Sequence, residues 1–412
     1  MSKAAKKESK NKKRGKWLKF RHRIVRNLLY GTLGVYCCLR YRMKIKRFRE
    51  QEKRPYLILF NHQTPFDQFF VGMAFKGPVY YVASEDIFSN GWVSSLIRYL
   101  VAPIPIKKQA ADVKAVMTCL RVAREGGTIA IAPEGNRTYS GKTEYISPSI
   151  VPLARKLNMP IALYRLEGGY GVHPRWSDVV RRGKMCGYVS RVLSPEEYSA
   201  MTDEELLDAI KSELYVNEAK ADAEFRHKKT AEYLERAIYV CPFCGLSEFE
   251  SDRDRLTCKR CRRTVRYLAT KELVGVDYEH PFRFLAEWYD YQADFINRFD
   301  TDAATEEPLF CDTVDFYEVI PYKKKQLLEK QATLLLYGDR VEILCKGEPL
   351  SLPFARVSAA TVLGRNKLNF YIGDKIYQCK GSPRFNALKY VHIHHRCKNI
   401  LKGEPHEQFL GL

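Results

Sequence analysis

From residue 55 the chain alternates short apolar runs with longer amphipathic ones. YLILF (56–60), PVYYVA (78–83), IPI (104–106), TIAIA (128–132) and PIALYRL (160–166) are uninterrupted by charge until their last residues. Short apolar runs of this kind read as buried strands. Between them lie helical stretches such as DVKAVMTCLRVARE (112–125), closed by Gly126-Gly127 as a C-terminal stop. The alternation predicts an α/β domain with a mixed, largely parallel sheet flanked by helices. Residues 194–239 are polar, periodic and mostly helical in pattern, and 271–310 read as an aromatic-rich helical linker. Further on, ATLLLYG (332–338), RVEILCK (340–346), PLSLPFA (349–355), RVSAATVLG (356–364), KLNFYIG (367–373) and KIYQCKG (375–381) form a meander. SPRFNALKYVHIHHRCKNIL (382–401) then reads as one helix, so the end of the chain is expected to be a β-barrel-like domain closed by a helix. His392, His394, His395 and Cys397 fit one packed face of that helix better than a metal site.

The pattern at the N-terminus differs. At helical spacing Trp17, Phe20, Ile24, Leu28 and Val35 share one side, widened by Leu18, Val25 and Leu29. Lys16, Lys19, Arg23 and Arg26 fall opposite. This is an amphipathic helix with a basic face. Its strongest apolar run, Leu28 to Leu39, is far below the ~20 residues a spanning helix needs. No signal-peptide cleavage site follows it. It reads as lying in a membrane interface, with a core-packing helix behind a solvated basic tail as the alternative.

Charge sharpens this reading. The whole chain carries +21, and residues 1–54 hold 20 Lys/Arg against 3 Glu, a net +17. A polyanionic partner therefore meets the N-terminus, and anionic membrane lipid suits the apolar stripe better than nucleic acid does. The stacking aromatics and groove-reading motif of a nucleic-acid protein are not evident, so no nucleic-acid partner is expected.

Of twelve cysteines, Cys241, Cys244, Cys258 and Cys261 form two C-x2-C pairs thirteen residues apart. Two such knuckles are expected to hold one structural Zn2+ in a ribbon, as against four unligated thiols. The scattered remainder favours a reducing compartment over a disulfide framework.

The candidate chemistry begins at NHQTPFD (61–67), where a strand ends in a histidine with an aspartate five positions on. Thr64 suits an N-cap, Pro65 a first turn and Asp67 the N3 position. Asp67 can then reach back to His62, fixing its tautomer and leaving the other nitrogen as a general base for a substrate hydroxyl. The bland alternative is a capping aspartate beside a loop histidine. APIPIKK (102–108) offers Lys108, and APEGNRTYSG (132–141) offers Arg137, as phosphate partners. Glu134 is suited to a polyol hydroxyl or to steadying Arg137, and Gly135 to close backbone approach. An ordinary strand-to-helix turn with a surface ion pair is the competing account.

Taken in order, NHQTPFD, APIPIKK, PEGNR and MPIALYRLEG resemble the N-H-x4-D, G-x-I-P-I-x-R, P-E-G-T-R and V-P-V blocks of the glycerolipid (lysophosphatidic acid and glycerol-3-phosphate) acyltransferase family, over residues 17–215. The resemblance implies that His62, oriented by Asp67, deprotonates a glycerol hydroxyl. That oxygen then attacks the thioester of acyl-CoA or acyl carrier protein. Arg137, with Glu134 and Gly135 around it and Lys108 nearby, would hold the glycerol phosphate. It implies a 1-acylglycerol-3-phosphate O-acyltransferase, making phosphatidic acid from lysophosphatidic acid. Such an enzyme sits peripherally or monotopically on the cytoplasmic side of a cell membrane. Another lysolipid or glycerol phosphate acceptor, and a non-catalytic membrane-docking scaffold, are the alternatives. The chain departs from the blocks at Ala102 (for glycine), Lys108 (for arginine) and Asn136 (for threonine). The C-terminal layout resembles a pleckstrin-homology or GRAM-like domain. The expected organisation is 1–50 basic tail and interface helix, 51–235 acyltransferase domain, 236–270 zinc ribbon, 271–325 helical linker and 326–412 pleckstrin-homology/GRAM-like domain.

Overall fold

The structure is a computed structural model describing residues 15–49, 54–84, 88, 91–106, 112–320 and 325–404. The chain opens with α1 (Phe20–Leu29), which passes through a π-helical turn at Tyr30–Gly34 into α2 (Val35–Tyr41). Then follow β1 (Met43–Ile45), β2 (Leu57–Phe60), α3 (Asp67–Ala74), β3 (Val79–Ser84), α4 (Trp92–Val101), β4 (Ile104–Ile106), α5 (Val113–Arg124), β5 (Thr128–Ile131), α6 (Ile150–Leu157), β6 (Ile161–Glu167), α7 (Gly169–Val172) and β7 (Met185–Leu193). Helices α8 (Pro195–Ser199) and α9 (Asp203–Leu214) complete this half.

Its strands form one sheet in the order β1-β7-β6-β2-β5-β3-β4. Every neighbouring pair is parallel except β6 with β7. All five apolar runs expected as strands are in it. Strand β2 shows why its run lacks polar positions: Leu57 and Leu59 pack on one face with α5, α6 and α9, and Ile58 and Phe60 on the other with α2 and α3. A strand covered on both faces has no solvent side to code for. Helix α5 is capped by Asp112, whose carboxylate accepts the Ala115 N–H at 3.0 Å, and it stops at Gly126 with φ +83°.

Two stretches differ from expectation. Strand β7 carries no clear apolar signal in the sequence, because most of its residues are only half buried. Residues 194–239 are helical only as far as Leu214 apart from a 3-10 turn at Leu234–Arg236. The segment between is held by tertiary contacts: Thr143 N–H donates to the Val216 carbonyl at 2.9 Å, and the ring of Phe225 fills the space beside Gly171 and Gly183.

The second half begins with the hairpin β8 (Val240–Cys241) and β9 (Gly245–Leu246). A four-stranded antiparallel sheet follows: β10 (Phe249–Asp252), β11 (Arg255–Cys258), β12 (Thr264–Tyr267) and β13 (Leu273–Gly275). Helix α10 (Leu285–Asn297) lies within the stretch expected to be helical. The seven-stranded antiparallel sheet then starts earlier than expected, with β14 (Phe310–Glu318) inside the stretch read as linker. Strands β15 (Gln326–Leu336), β16 (Arg340–Leu344), β17 (Leu350–Pro353), β18 (Ala359–Leu363), β19 (Lys367–Ile372) and β20 (Lys375–Gly381) complete it in the order β17-β16-β15-β14-β20-β19-β18. Helix α11 (Leu388–Leu401) closes it. One continuous apolar core joins this sheet, α10, α11 and the cysteine knuckles to Tyr139, Tyr170 and Trp176 of the first half. The C-terminal half is therefore packed onto the loops of the α/β half rather than tethered to it.

Candidate active site

Strand β2 ends at Phe60, and Asn61 locks its end to β6. Its amide donates to the Leu166 carbonyl at 2.8 Å and its Oδ1 accepts the Leu166 N–H at 2.7 Å. His62 is thus delivered at the carboxyl end of the sheet, where sites of open α/β folds form. Its Nδ1 is 2.7 Å from Asp67 Oδ2. Asp67 is fully buried, while the imidazole side chain is 26% exposed. A carboxylate accepts only, so Nδ1 carries the proton and Nε2 presents a lone pair. Nε2 meets no partner among the described residues.

The helix start differs from expectation. The N-cap is Phe66, so Thr64 and Pro65 precede the helix and Asp67 is its first residue rather than N3. The carboxylate itself gathers the turn: it accepts the N–H of Gln63 at 2.7 Å, the N–H of Thr64 at 3.0 Å and the Thr64 hydroxyl at 2.5 Å. Asp67 therefore both caps the turn and orients His62, so the two readings of the H-x4-D spacing are not exclusive.

Residues 132–144 form the opposite wall. Glu134 accepts the main-chain N–H of His62 at 2.8 Å on one oxygen and that of Glu144 at 2.9 Å on the other. It therefore ties two loops together, and neither carboxylate oxygen bonds Arg137. Burial pushes its carboxyl up to about 8, against those two N–H groups; the nearby Glu144 and Asp67 carboxylates add to the rise. Gly135 turns at φ +70°, the left-handed region that favours glycine, and its surface is open. Arg137 is pulled down to about 10 by burial first and by Arg175 next, with Asp67 opposing. Its Nη1 is buried and has no partner among the described residues. Lys108 lies outside the described residues.

Sequence reasoning missed three residues here. Arg175 donates to the Arg137 carbonyl at 2.9 Å and lies over the Tyr139 ring at 4.3 Å. His173 and Tyr41 share a 2.6 Å hydrogen bond, and Tyr41 packs edge-on against Phe66. The one available signal was the run HPRW (173–176), which follows α7 and places His173 and Arg175 at buried positions.

With this geometry in hand, residues 42–163 match the family model described as Acyltransferase. The chain carries an acyltransferase domain. It is 21% identical over 132 residues to the 1-acyl-sn-glycerol-3-phosphate acyltransferase of Bacillus subtilis (strain 168), covering 32% of this chain and 63% of that protein. A solved structure with similarity is the 1-acyl-sn-glycerophosphate (LPA) acyltransferase from Thermotoga maritima, with a TM-score of 0.39 and 19% identity over 46% of this chain and 75% of that one. The match to the acyltransferase model contains His62, Asp67, Glu134, Gly135 and Arg137, and stops before the cysteine knuckles and the C-terminal sheet.

The four knuckle cysteines converge as expected. Their sulfurs all lie within 4.8 Å of one another, with Cys241 and Cys261 3.7 Å apart and Cys244 and Cys258 3.6 Å apart. Zn–S bonds of about 2.3 Å place tetrahedral sulfurs about 3.8 Å apart. The donor set and its spacing therefore fit a zinc centre of four thiolates, and no disulfide is formed.

The amphipathic N-terminal helix also lies where its stripe can be judged. Phe20, Ile24 and Leu28 are exposed, and His22, Val25 and Arg26 face the protein. Of the stripe, Phe20, Ile24, Leu28 and Val35 are turned outward, which a core-packing helix does not explain, whereas Trp17 and Leu18 pack against the core of the α/β half. Helix α4 extends the surface with exposed Trp92, Leu96 and Tyr99, linked to α1 by Arg21 Nε donating to the Tyr99 carbonyl at 2.9 Å. Among the described residues no helix is long and apolar enough to cross a membrane.

Proposed function

We propose that this protein is a membrane-associated 1-acylglycerol-3-phosphate O-acyltransferase, converting lysophosphatidic acid to phosphatidic acid with acyl-CoA or acyl carrier protein as donor. The observation that carries the reading is the His62–Asp67 pair, with a free Nε2, beside a half-buried arginine whose Nη1 is buried without a partner. Nε2 takes the proton of the acceptor hydroxyl as its oxygen attacks the thioester carbonyl carbon. The C–S bond of the tetrahedral intermediate then breaks, and the proton on Nε2 passes to the departing thiolate. Asp67 keeps the imidazole in the required tautomer and stabilises its charged form, as the acid of a triad does, while the nucleophile belongs to the substrate. Arg137 and the open turn at Gly135 receive the acceptor's phosphate; Glu134 is a positioning residue that joins their loop to His62. Lys108 is assigned to the same phosphate on the resemblance alone.

The outward apolar stripes of α1 and α4 and the basic N-terminus support peripheral docking on the anionic cytoplasmic face of a membrane. Zinc at the four cysteines would be structural, since four thiolates leave no open position for substrate. The strand order and closing helix of the C-terminal sheet fit a pleckstrin-homology/GRAM-like module.

The test is thioester turnover by purified protein with lysophosphatidic acid and acyl-CoA or acyl carrier protein, followed by a panel of other acceptors. Phosphatidic acid formed by wild type and not by His62→Ala is the expected result. No turnover with any acceptor and either donor, or equal turnover by the variant, would overturn it.

A further inference from the structure

Three guanidinium groups converge beside the catalytic pair, and one of them comes from the far end of the chain. Arg137 and Arg175 belong to the α/β half. Arg365 sits in the turn between β18 and β19 of the C-terminal sheet, 228 residues beyond Arg137 in sequence. The turn is seated on the site by two contacts. Arg365 Nη2 donates to His173 Nε2 at 3.2 Å, and Arg175 Nη2 donates to the Val362 carbonyl at 3.3 Å. Arg175 Nη1 in turn holds the Arg137 carbonyl, so turn, arginine and P-E-G-N-R loop form one unit.

The acids nearby do not balance this charge. Asp178 is shared between Arg365, at 2.8 Å, and Arg236, at 2.6 Å. The Asp67 carboxylate is taken up by His62, Gln63 and Thr64. His173 adds no positive charge: it accepts from Arg365, so its Nδ1 proton goes to Tyr41, and burial with Arg137 and Arg365 nearby drives it down to about 3. Arg137 feels both other arginines, and its Nη1 is buried without a partner. A buried guanidinium facing like charges is costly unless an anion joins it. Arg365 has five N–H donors and spends two on His173 and Asp178, leaving three.

We infer that Arg365 is a specificity-determining residue for the acceptor's phosphate monoester, so that the C-terminal sheet completes the acceptor site. This rests on the acyltransferase reading for the acceptor's identity, although the anion site itself follows from the three arginines. A phosphate monoester offers three acceptor oxygens, which suits two planar forks approaching from different sides. An acceptor without phosphate would leave the buried Arg137 Nη1 without a partner. The C-terminal half thereby selects phosphate-bearing lysolipids over neutral monoacylglycerol.

The experiment compares wild type with Arg365→Gln and Arg365→Lys in the full-length protein. It measures kcat and KM for lysophosphatidic acid, KM for acyl-CoA, and binding of inorganic phosphate by calorimetry. Arg365→Gln is expected to raise KM for lysophosphatidic acid at least tenfold and to weaken phosphate binding by a similar factor, with kcat and KM for acyl-CoA within threefold. Arg365→Lys should recover part of the loss. An unchanged KM and unchanged phosphate affinity overturn the inference and leave the acyltransferase reading standing. So does a loss spread equally over both substrates with a lowered melting temperature, which marks a structural role only. Absence of turnover by wild type, together with Arg365-dependent phosphate binding, overturns the acyltransferase reading and keeps the anion site.

Discussion

Glu134 Oε1 accepts the main-chain N–H of His62 at 2.8 Å, which ties the proposed general base to the loop that carries Arg137. The other oxygen of Glu134 holds the Glu144 N–H at 2.9 Å. Replacing it by Gln keeps one acceptor and turns a donor toward the second N–H. Each buried N–H left unpaired costs about 1–3 kcal/mol. Glu134→Gln is therefore expected to lower kcat more than tenfold with a lesser change in acceptor KM, because the base is displaced and the phosphate partner is not removed. Steady-state kinetics and a melting curve on the same preparation check this.

Asp67 accepts from a side chain, two main-chain N–H groups and a hydroxyl at once. Asparagine keeps the shape and loses the charge that favours protonated His62. For Asp67→Asn we expect kcat to fall about 10²–10⁴-fold, approaching the activity of His62→Ala, since general-base catalysis contributes on that scale. Equal activity of Asp67→Asn and wild type in a thioester-release assay would reduce Asp67 to a helix cap.

The sequence was most legible where one physical demand acted alone. Strands β2, β5 and β6 are largely covered on both faces, so their residues are apolar regardless of partner. The four cysteines announced themselves by spacing, and His62 and Asp67 by lying within one turn of each other. Strand β14 was hidden because its polar residues have distant partners: Asp312 meets Lys389 at 2.7 Å and the Tyr390 hydroxyl at 2.7 Å, both on α11. Arg365 was hidden for the same reason. In sequence it is a charged residue in a tight turn between strands, and only the packing of the C-terminal sheet on His173 and Arg175 gives it a role.

Ala102 stands where the resembling block has glycine, and its backbone is left-handed, with φ 43° and ψ 54°. An L-residue there carries roughly 1–2 kcal/mol of strain. Glycine removes the strain but adds freedom to the unfolded chain, worth about 0.5–1 kcal/mol. Ala102→Gly is expected to be neutral to stabilising by up to about 1 kcal/mol, whereas a β-branched residue such as Val should destabilise. Denaturant titration of the three proteins decides it.

The sulfurs of Cys241, Cys244, Cys258 and Cys261 sit within the core that also contains Trp288 and the strands of the C-terminal sheet. Loss of one ligand should therefore be felt beyond the knuckles. Cys258→Ser is expected to lose bound zinc, from about one per chain, and to lower the stability of the C-terminal half by a few kcal/mol. Metal analysis with proteolysis of that half tests it, and unchanged zinc content would exclude the four-thiolate centre. Acyl transfer should fall as well, because the same core seats Arg365 on the site.

Protonation sets opposing slopes on either side of neutrality. His173, His392 and His394 are driven down to about 3 and His280 and His395 to about 4, chiefly by burial, with cations or His395 nearby adding to it for all but His280. An unfolded histidine titrates near 6.5. Below that pH the unfolded chain binds protons that these folded sites refuse, so stability is fully present above about 6.5 and is lost as pH falls toward 3. The slope is about 1.4 kcal/mol per pH unit for each histidine. Glu134 acts in the other direction. Its folded value is raised to about 8, so its contribution is complete below the unfolded glutamate value and is lost as pH rises toward 8. Between about 4.5 and 6.5 five histidines outweigh one glutamate, and above 6.5 Glu134 acts without them, joined by Glu144, whose carboxyl burial also raises. Stability is therefore expected to peak near pH 6.5, falling steeply on the acid side and gently on the alkaline side. Thermal melts from pH 4.5 to 8.5 measure both slopes. His392→Gln, remote from the catalytic pair, should remove roughly a fifth of the acid slope, and Glu134→Gln should flatten the alkaline one. A peak that stays sharp on the alkaline side in Glu134→Gln would show that another group titrates there.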